Sequence, residues 1–283
     1  MKKFICLSLL TYLSFSIFSQ TQTITSDAYS PENTKAFAND LFDNGFWDEA
    51  ESEYKRYLFS TNQNDEATIF ALTTIYNEQN NKTGIMWLEN NFADSLRIPV
   101  REKIDLTYSK LLFLERNPTD LAAFTQSINQ NMDSYSKQFQ FLLTLSSDVL
   151  QQNITQATET AKNASQTYDI FSPTYTLLSE YKTKSPGTAL FLSIICPGAG
   201  KIYTGSIPAF TTSFLTISTF VAGTIYSVNE YGWQNWRPYI FGGCALILYI
   251  VDIYGSYQGA LRYNDAQNRK LCEEIDKIYE ALY

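Results

Sequence analysis

The 283-residue chain contains no histidine, and 21 lysines and arginines stand against 29 aspartates and glutamates. Without histidine there is no His-based triad, no imidazole base near neutral pH, and the commonest zinc ligand is missing. The net charge of −8 argues against a general electrostatic affinity for nucleic acid. Cysteine is scarce: Cys6, Cys196, Cys244 and Cys272 form no CxxC pair and no disulfide framework, and are read as buried, inert thiols. There is no P-loop and no G-x-S-x-G. Acid pairs such as Glu51 with Glu53 and Glu273 with Glu274 fall on polar helix faces, where solvation explains them. The chain is therefore read as non-enzymatic, with no catalytic, cofactor-binding or metal-binding residues and no cofactor.

What is present is unevenly spread. The mean hydropathy of −0.20 averages two unlike parts: most acids and amides lie before about residue 184, and residues 187–259 carry almost no charge. Met1-Lys2-Lys3, the apolar run Phe4 to Phe18 and the small Ser19 before Gln20 have the pattern of a secretory signal peptide over residues 1–19. An uncleaved signal anchor is the alternative. Either reading places residue 30 onward outside the cytoplasm.

From Ser30 the chain reads as helix after helix. Ser30-Pro31-Glu32 supplies an N-cap, a proline at the first helical position and an early acid. Similar starts are expected at Asp65-Glu66, at Pro99 with Glu102, and at Ser134, about 34 residues apart. Breaks fall between them at Asn44-Gly45, Asn80 to Gly84, Asn117-Pro118 and Gln152-Asn153, which points to helix pairs. In the first pair Leu41, Gly45, Trp47, Ala50 and Tyr54 follow the L-x3-G-x-aromatic-x2-A-x3-aromatic spacing of a tetratricopeptide unit. Gly84 takes the place of Ala50 in the second, beside Trp87 and Leu88. The later units keep only helical spacing, with Ile104, Tyr108, Leu111 and Leu112, then Phe139, Leu142, Leu143 and Leu145. Residues 30–183 thus resemble a tetratricopeptide-like helical repeat domain, and the resemblance implies a face that binds a protein partner. Tyr57, Phe59, Tyr76 and Phe113 are read as core aromatics.

After Lys184-Ser185-Pro186 come a short apolar stretch, Thr188–Cys196, and two long ones, about 207–228 and 238–260, each of a length to cross a bilayer. Tyr231, Trp233, Trp236 and Tyr239 lie between or beside them as an interfacial aromatic belt. Neither long stretch shows a polar face. The Pro197-Gly198-Ala199-Gly200 run breaks the helix, so the segment before the first span is read as re-entrant or as a broken, short crossing. Asp252 is the acid inside a span. It is either functional, or it lies near a helix end and is bonded to Tyr249, Ser256 or Lys201, or is simply protonated. Small-residue faces at Gly255-x3-Gly259, Ala222-Gly223 and Gly242-Gly243 suggest close helix packing, including a homo-oligomer through the membrane helices.

Lys184-Ser185-Pro186, Leu192-Ser193 and Pro197-Gly198-Ala199-Gly200-Lys201-Ile202-Tyr203-Thr204-Gly205 resemble the K-S-P … L-S … P-G-x-G-Q-x-Y-x-G signature of small bacterial membrane domains of unknown function. Asp252-Ile253-Tyr254-Gly255 and Arg262-Tyr263-Asn264 resemble that family's N-x-Y-x-A … R-Y-N ending. The motif residues are Pro197, Gly198, Gly200, Tyr203, Gly205, Asp252, Tyr254 and Gly255. Lys201 and Asp252 stand where the pattern has amides. The resemblance covers 184–264 and implies a membrane hairpin in the envelope. It implies no activity.

Residues 265–283 read as a separate amphipathic C-terminal helix, with Leu271, Ile275, Ile278 and Leu282 at helical spacing. Arg262, Arg269, Lys270 and Lys277 favour a cytoplasmic tail, whereas Lys182 and Lys184 argue the other way, so the side of the tail is left open. The fold class expected is all-α: a tetratricopeptide-like array, then a transmembrane hairpin with a re-entrant or broken segment. The expected role is a scaffold or adaptor in the bacterial inner membrane, its repeats in the periplasm and its contacts protein and lipid. The alternative is a small oligomeric transporter or channel component.

Overall fold

The computed structural model describes residues 29–61, 64–92 and 95–283. The expected signal peptide and Cys6 lie outside them. Among the described residues every regular element is helical. The chain divides into two compact units, one ending at Tyr108 and one beginning at Ser109.

The first unit opens with α1 (Pro31–Asp43) and α2 (Trp47–Thr61), followed by α3 (Glu66–Glu78), α4 (Lys82–Phe92) and the start of α5 (Ile98–Leu114). Ser30 caps α1 by accepting the Asn33 N–H at 3.3 Å. At Asp65 the carboxylate does not cap the backbone. It takes the Lys35 ammonium at 2.5 Å and the Thr68 hydroxyl at 2.7 Å instead. The expected signature residues do what their sizes dictate. Ala50 is fully buried and Tyr54 nearly so, its hydroxyl donating to Asn39 at 2.8 Å. Leu41 and Trp47 are half-buried, Trp47 lying edge-on to Phe42 at 5.3 Å. Phe59, expected in the core, is 73% exposed and lies beside Trp87.

The four expected breaks share one backbone device. Gly45, Asn80, Arg116 and Gln152 all have positive φ (78°, 51°, 54° and 61°), and they lie 35, 36 and 36 residues apart. At each, the next N–H reaches back five residues: Phe46 to Leu41, Asn81 to Tyr76, Asn117 to Leu112 and Asn153 to Asp148. The left-handed residue itself bonds three residues back, to Phe42, Asn77, Phe113 and Val149. These are Schellman caps, which satisfy the orphan carbonyls at a helix end and turn the chain sharply.

The second unit contains α6 (Pro118–Ile128), a 3₁₀ turn over Asn129–Ser134, α7 (Lys137–Leu150), α8 (Ile154–Ser165) and α9 (Ser172–Ser179). The expected start at Ser134 is displaced. That residue ends the 3₁₀ turn, and Ser136 caps α7 by accepting the Phe139 N–H at 3.2 Å. Next come α10 (Pro186–Ile195), α11 (Ala199–Tyr203), α12 (Ile207–Tyr231) and α13 (Arg237–Leu282). The separate terminal helix expected from 265 does not exist. α13 runs unbroken for 46 residues, because nothing after Gly259 is a glycine or proline to stop it.

α12 and α13 each contain a stretch long and apolar enough to cross a membrane. Only 6% and 17% of those apolar windows are buried, so neither is a core helix of this chain. The far end of α13 is different. Leu271, Cys272, Ile275, Ile278 and Tyr279 are buried, and α13 packs on α7 and α9. Tyr279 lies 5.8 Å from the Phe113 ring, and burial pushes its phenol up to about 12.

Gly84 sits where a Cβ would fall 2.4 Å from the Tyr76 ring. Gly84→Ala should therefore destabilise the protein by about 1–3 kcal/mol through overpacking. Gly45 has open space around it and needs only the left-handed backbone, so Gly45→Asn should cost well under about 1 kcal/mol. Denaturant titration followed by helical circular dichroism tests the pair, and equal losses would contradict this account.

Candidate functional site

The polar residues of the apolar region converge where α10, α11, α12 and α13 meet. α10 ends at Ile195, and Cys196 is extended (φ −140°, ψ 123°). Gly198 then takes a left-handed conformation (φ 81°) from which α11 starts. Such a break leaves backbone donors without helical partners, and burial would make each expensive. Asp252, buried in the middle of α13, meets this need: its Oδ2 accepts the Gly198 N–H at 2.5 Å. Its Oδ1 contacts the Lys201 ammonium at 2.7 Å, an ionic contact rather than an aligned hydrogen bond. Lys201 also donates to the Ser213 hydroxyl of α12. Of the three partners considered for Asp252, Lys201 is the one in place. The two positions at which the chain departs from the amide pattern touch each other.

A second polar knot lies beside the first. Ser193 donates to Ser256 at 2.7 Å and accepts the Gly200 N–H at 3.1 Å, all three buried. Gly200 is wedged so tightly that a Cβ would fall 2.1 Å from the Ala189 carbonyl oxygen and 2.7 Å from Ser256. A third knot closes the junction with the preceding helices. Asn264 of α13 accepts the Lys184 N–H at 2.7 Å and donates to the Lys184 carbonyl at 2.9 Å. The Tyr203 hydroxyl accepts the Ser185 N–H at 3.1 Å, and the Lys184 ammonium lies 4.8 Å from the Tyr203 ring centre.

Six of the eight motif residues, Pro197, Gly198, Gly200, Tyr203, Asp252 and Gly255, line or abut these knots. Gly255 leaves room for the Lys201 stem, 3.8 Å from where its Cβ would be. Gly205 (φ 86°) ends α11 by bonding back to Ile202. Tyr254 does not join the cluster. It is 62% exposed on the opposite side of α13 and accepts a bond from Gln258 at 3.0 Å. The Gly255-x3-Gly259 face packs within the chain, Gly259 lying 3.5 Å from Thr204. Ser256, considered as a partner of Asp252, bonds Ser193 of the Leu192-Ser193 pair instead, and Ser213, which completes the network, was not singled out from sequence. Serine in an apolar run carries no signal of its partner. Cys196 and Cys244 are half-buried and Cys272 is buried, so only the last fits the expected buried thiol.

Comparison with protein-family models, curated proteins and solved structures gives no match to this chain. The geometry therefore carries the argument. The network satisfies a broken backbone and joins four helices, and its acid is already held by an N–H and an ammonium.

Removing one partner of a buried ion pair costs about 3–5 kcal/mol, because the other charge is left uncompensated. Lys201→Gln and Asp252→Asn should each destabilise the purified protein strongly, and the Lys201→Gln/Asp252→Asn double variant should recover most of the loss. Thermal unfolding of all four proteins reads the coupling. Additive losses would mean that the pair is not the unit drawn here.

Proposed function

We propose that the chain is a non-enzymatic, membrane-embedded scaffold or adaptor of a bacterial envelope, with residues 30–183 holding a protein partner. The observation that carries this reading is α13. One continuous helix bears the apolar stretch over 238–260 and, from Leu271 on, packs into the helices that begin at Ser109. A rigid helix of about 69 Å that ends in a packed core is a coupling element, not a mere tether.

This reading takes the Schellman caps, which recur every 35 or 36 residues, as the ends of paired helices, and the polar network at Pro197 to Gly205 as the break within the membrane part. With α12 and α13 as the two spans, the terminal turns of α13 share a side with α7 and α9, and the 232–236 turn with Trp233 and Trp236 lies opposite. The short α10 and α11 then form a broken segment at the membrane edge. The export signal assigns the repeat side to the periplasm. Lys182, Lys184, Arg262, Arg269 and Lys270 gather on that side and pull toward the cytoplasm. The first segment to engage usually dominates, so we assign the inner membrane with the repeats outside. The transporter reading loses its main support, since Asp252 is enclosed by Gly198 and Lys201.

Single cysteines at positions 233 and 280 in a chain freed of its own cysteines test the orientation. A membrane-impermeant maleimide added to intact spheroplasts should label 280 and leave 233 untouched. Reversed labelling would place the repeats in the cytoplasm, and labelling of both would refute the hairpin. Affinity capture of the full chain from solubilised membranes should retain a stoichiometric protein partner. Its absence would remove the adaptor reading.

A further inference from the structure

Beyond the polar network, the second unit contains a cavity of about 440 Å³ where the caps ending α5 and α7 face α13. Its chemistry is unlike that of the surrounding core. Arg116 and Arg269 both reach it, and among the described residues neither forms a salt bridge, although Arg116 hydrogen-bonds the Cys272 sulfur and lies within electrostatic range of Asp276. The Arg116 guanidinium also lies 4.9 Å from the Phe113 ring centre, a cation–π contact that helps to hold its direction. Asn268 gives its Oδ1 to the Tyr181 hydroxyl, which leaves its amide N–H groups as donors toward the cavity. Gln152 adds a second amide from the left-handed cap of α7. Leu150 and Pro118 supply an apolar wall. Cys272 forms part of the floor, and burial pushes its thiol up, so it stays neutral. Asp265, on the α13 side of the cavity, is the acid in the lining and an acceptor for a ligand N–H, while Asp276, outside the lining, is the acid in range of Arg116.

We propose that this cavity binds a carboxylate-bearing segment of a protein partner, an acidic residue beside an apolar one. The proposal rests on the adaptor reading and gives the partner its chemistry. Two guanidinia and two amides line one cavity, and these are the donor types that recognise a carboxylate or a phosphate. Position selects between the sources. Arg269 lies nine residues beyond Ala260, about 13 Å along the helix, whereas the headgroup layer is only about 5–8 Å thick. A phospholipid headgroup falls short of the cavity, and a peptide on the protein side reaches it. The apolar wall gives such a peptide a second anchor, which a free inorganic anion lacks.

The test uses the full chain in detergent or in phosphatidylcholine nanodiscs, with a fluorescent Ala-Leu-Asp-Glu peptide and its neutral counterpart Ala-Leu-Asn-Gln. Anisotropy should show binding of the acidic peptide only, weakening with added salt. Arg116→Asn keeps a residue that tolerates positive φ, and Arg269→Gln lies on an exposed helix position, so both should fold as judged by circular dichroism. Each should weaken binding about tenfold or more, the loss that goes with one charge-assisted hydrogen bond. Equal binding of both peptides, no binding, or binding unaffected by either variant would overturn the proposal. So would an acidic peptide displaced by phosphate alone, or affinity that appears only in nanodiscs containing anionic lipid. If a partner is captured from membranes but the acidic peptide fails, the cavity assignment falls and the adaptor reading stands. If the peptide binds and no partner is captured, the reverse holds.

Discussion

Everything from Ser109 onward depends on the continuity of α13. A helix cannot change direction without a proline, a glycine pair or an inserted group to break its hydrogen bonds. α13 has none of these after Gly259, and it therefore fixes the distance and angle between two environments. Its first half presents large apolar side chains outward, Leu246, Ile247, Ile250 and Val251 among them. Its last turns bury theirs against α7 and α9. The same hydrogen-bonded rod thus meets two solvents, one provided by its surroundings and one by its own chain.

The break at Pro197 is the counterpart of that continuity. α10 and α11 must turn within a few residues beside a straight helix, and the turn exposes N–H groups where water is scarce. Asp252 accepts the Gly198 N–H and Ser193 the Gly200 N–H, while Ser256, one helical turn beyond Asp252, accepts the Ser193 hydroxyl and holds it in place. Lys201 then balances the charge that Asp252 brings in. Gly200 allows the approach that makes these bonds short, since any side chain there would meet the Ala189 backbone. The network is cooperative in the sense that each member loses its partner if the turn opens.

The sequence revealed the helical class, the apolar stretches and the helix breaks, because caps, composition and glycine–proline signals are local. It concealed what depends on distance. Arg116 and Gln152 are not turn residues by type, yet they take the same left-handed cap as Gly45 because the paired helices demand it. Lys201 was one of three partners open to Asp252, and only the fold selects it across 51 residues, since no spacing rule does. Tyr254 shares the motif with Asp252 but not the network, because a motif is read along a line, whereas residues two apart on a helix point roughly 200° apart. The break expected at 264 followed a change in composition, and composition alone does not end a helix.

The packing of the final turns of α13 has a consequence for synthesis. Phe113, Phe139 and Leu142 leave the ribosome more than a hundred residues before Ile275 and Tyr279, the side chains that help to complete their core. Between those moments both apolar helices have to be made and placed. The groove that receives α13 therefore stays open and sticky until the last turns of α13 are made and docked. Contacts so distant in sequence are slow to form, and exposed apolar surface invites misassembly meanwhile. On the proposed membrane-embedded reading, the maturation of such a chain is timed by membrane insertion rather than by the folding of its helical pairs.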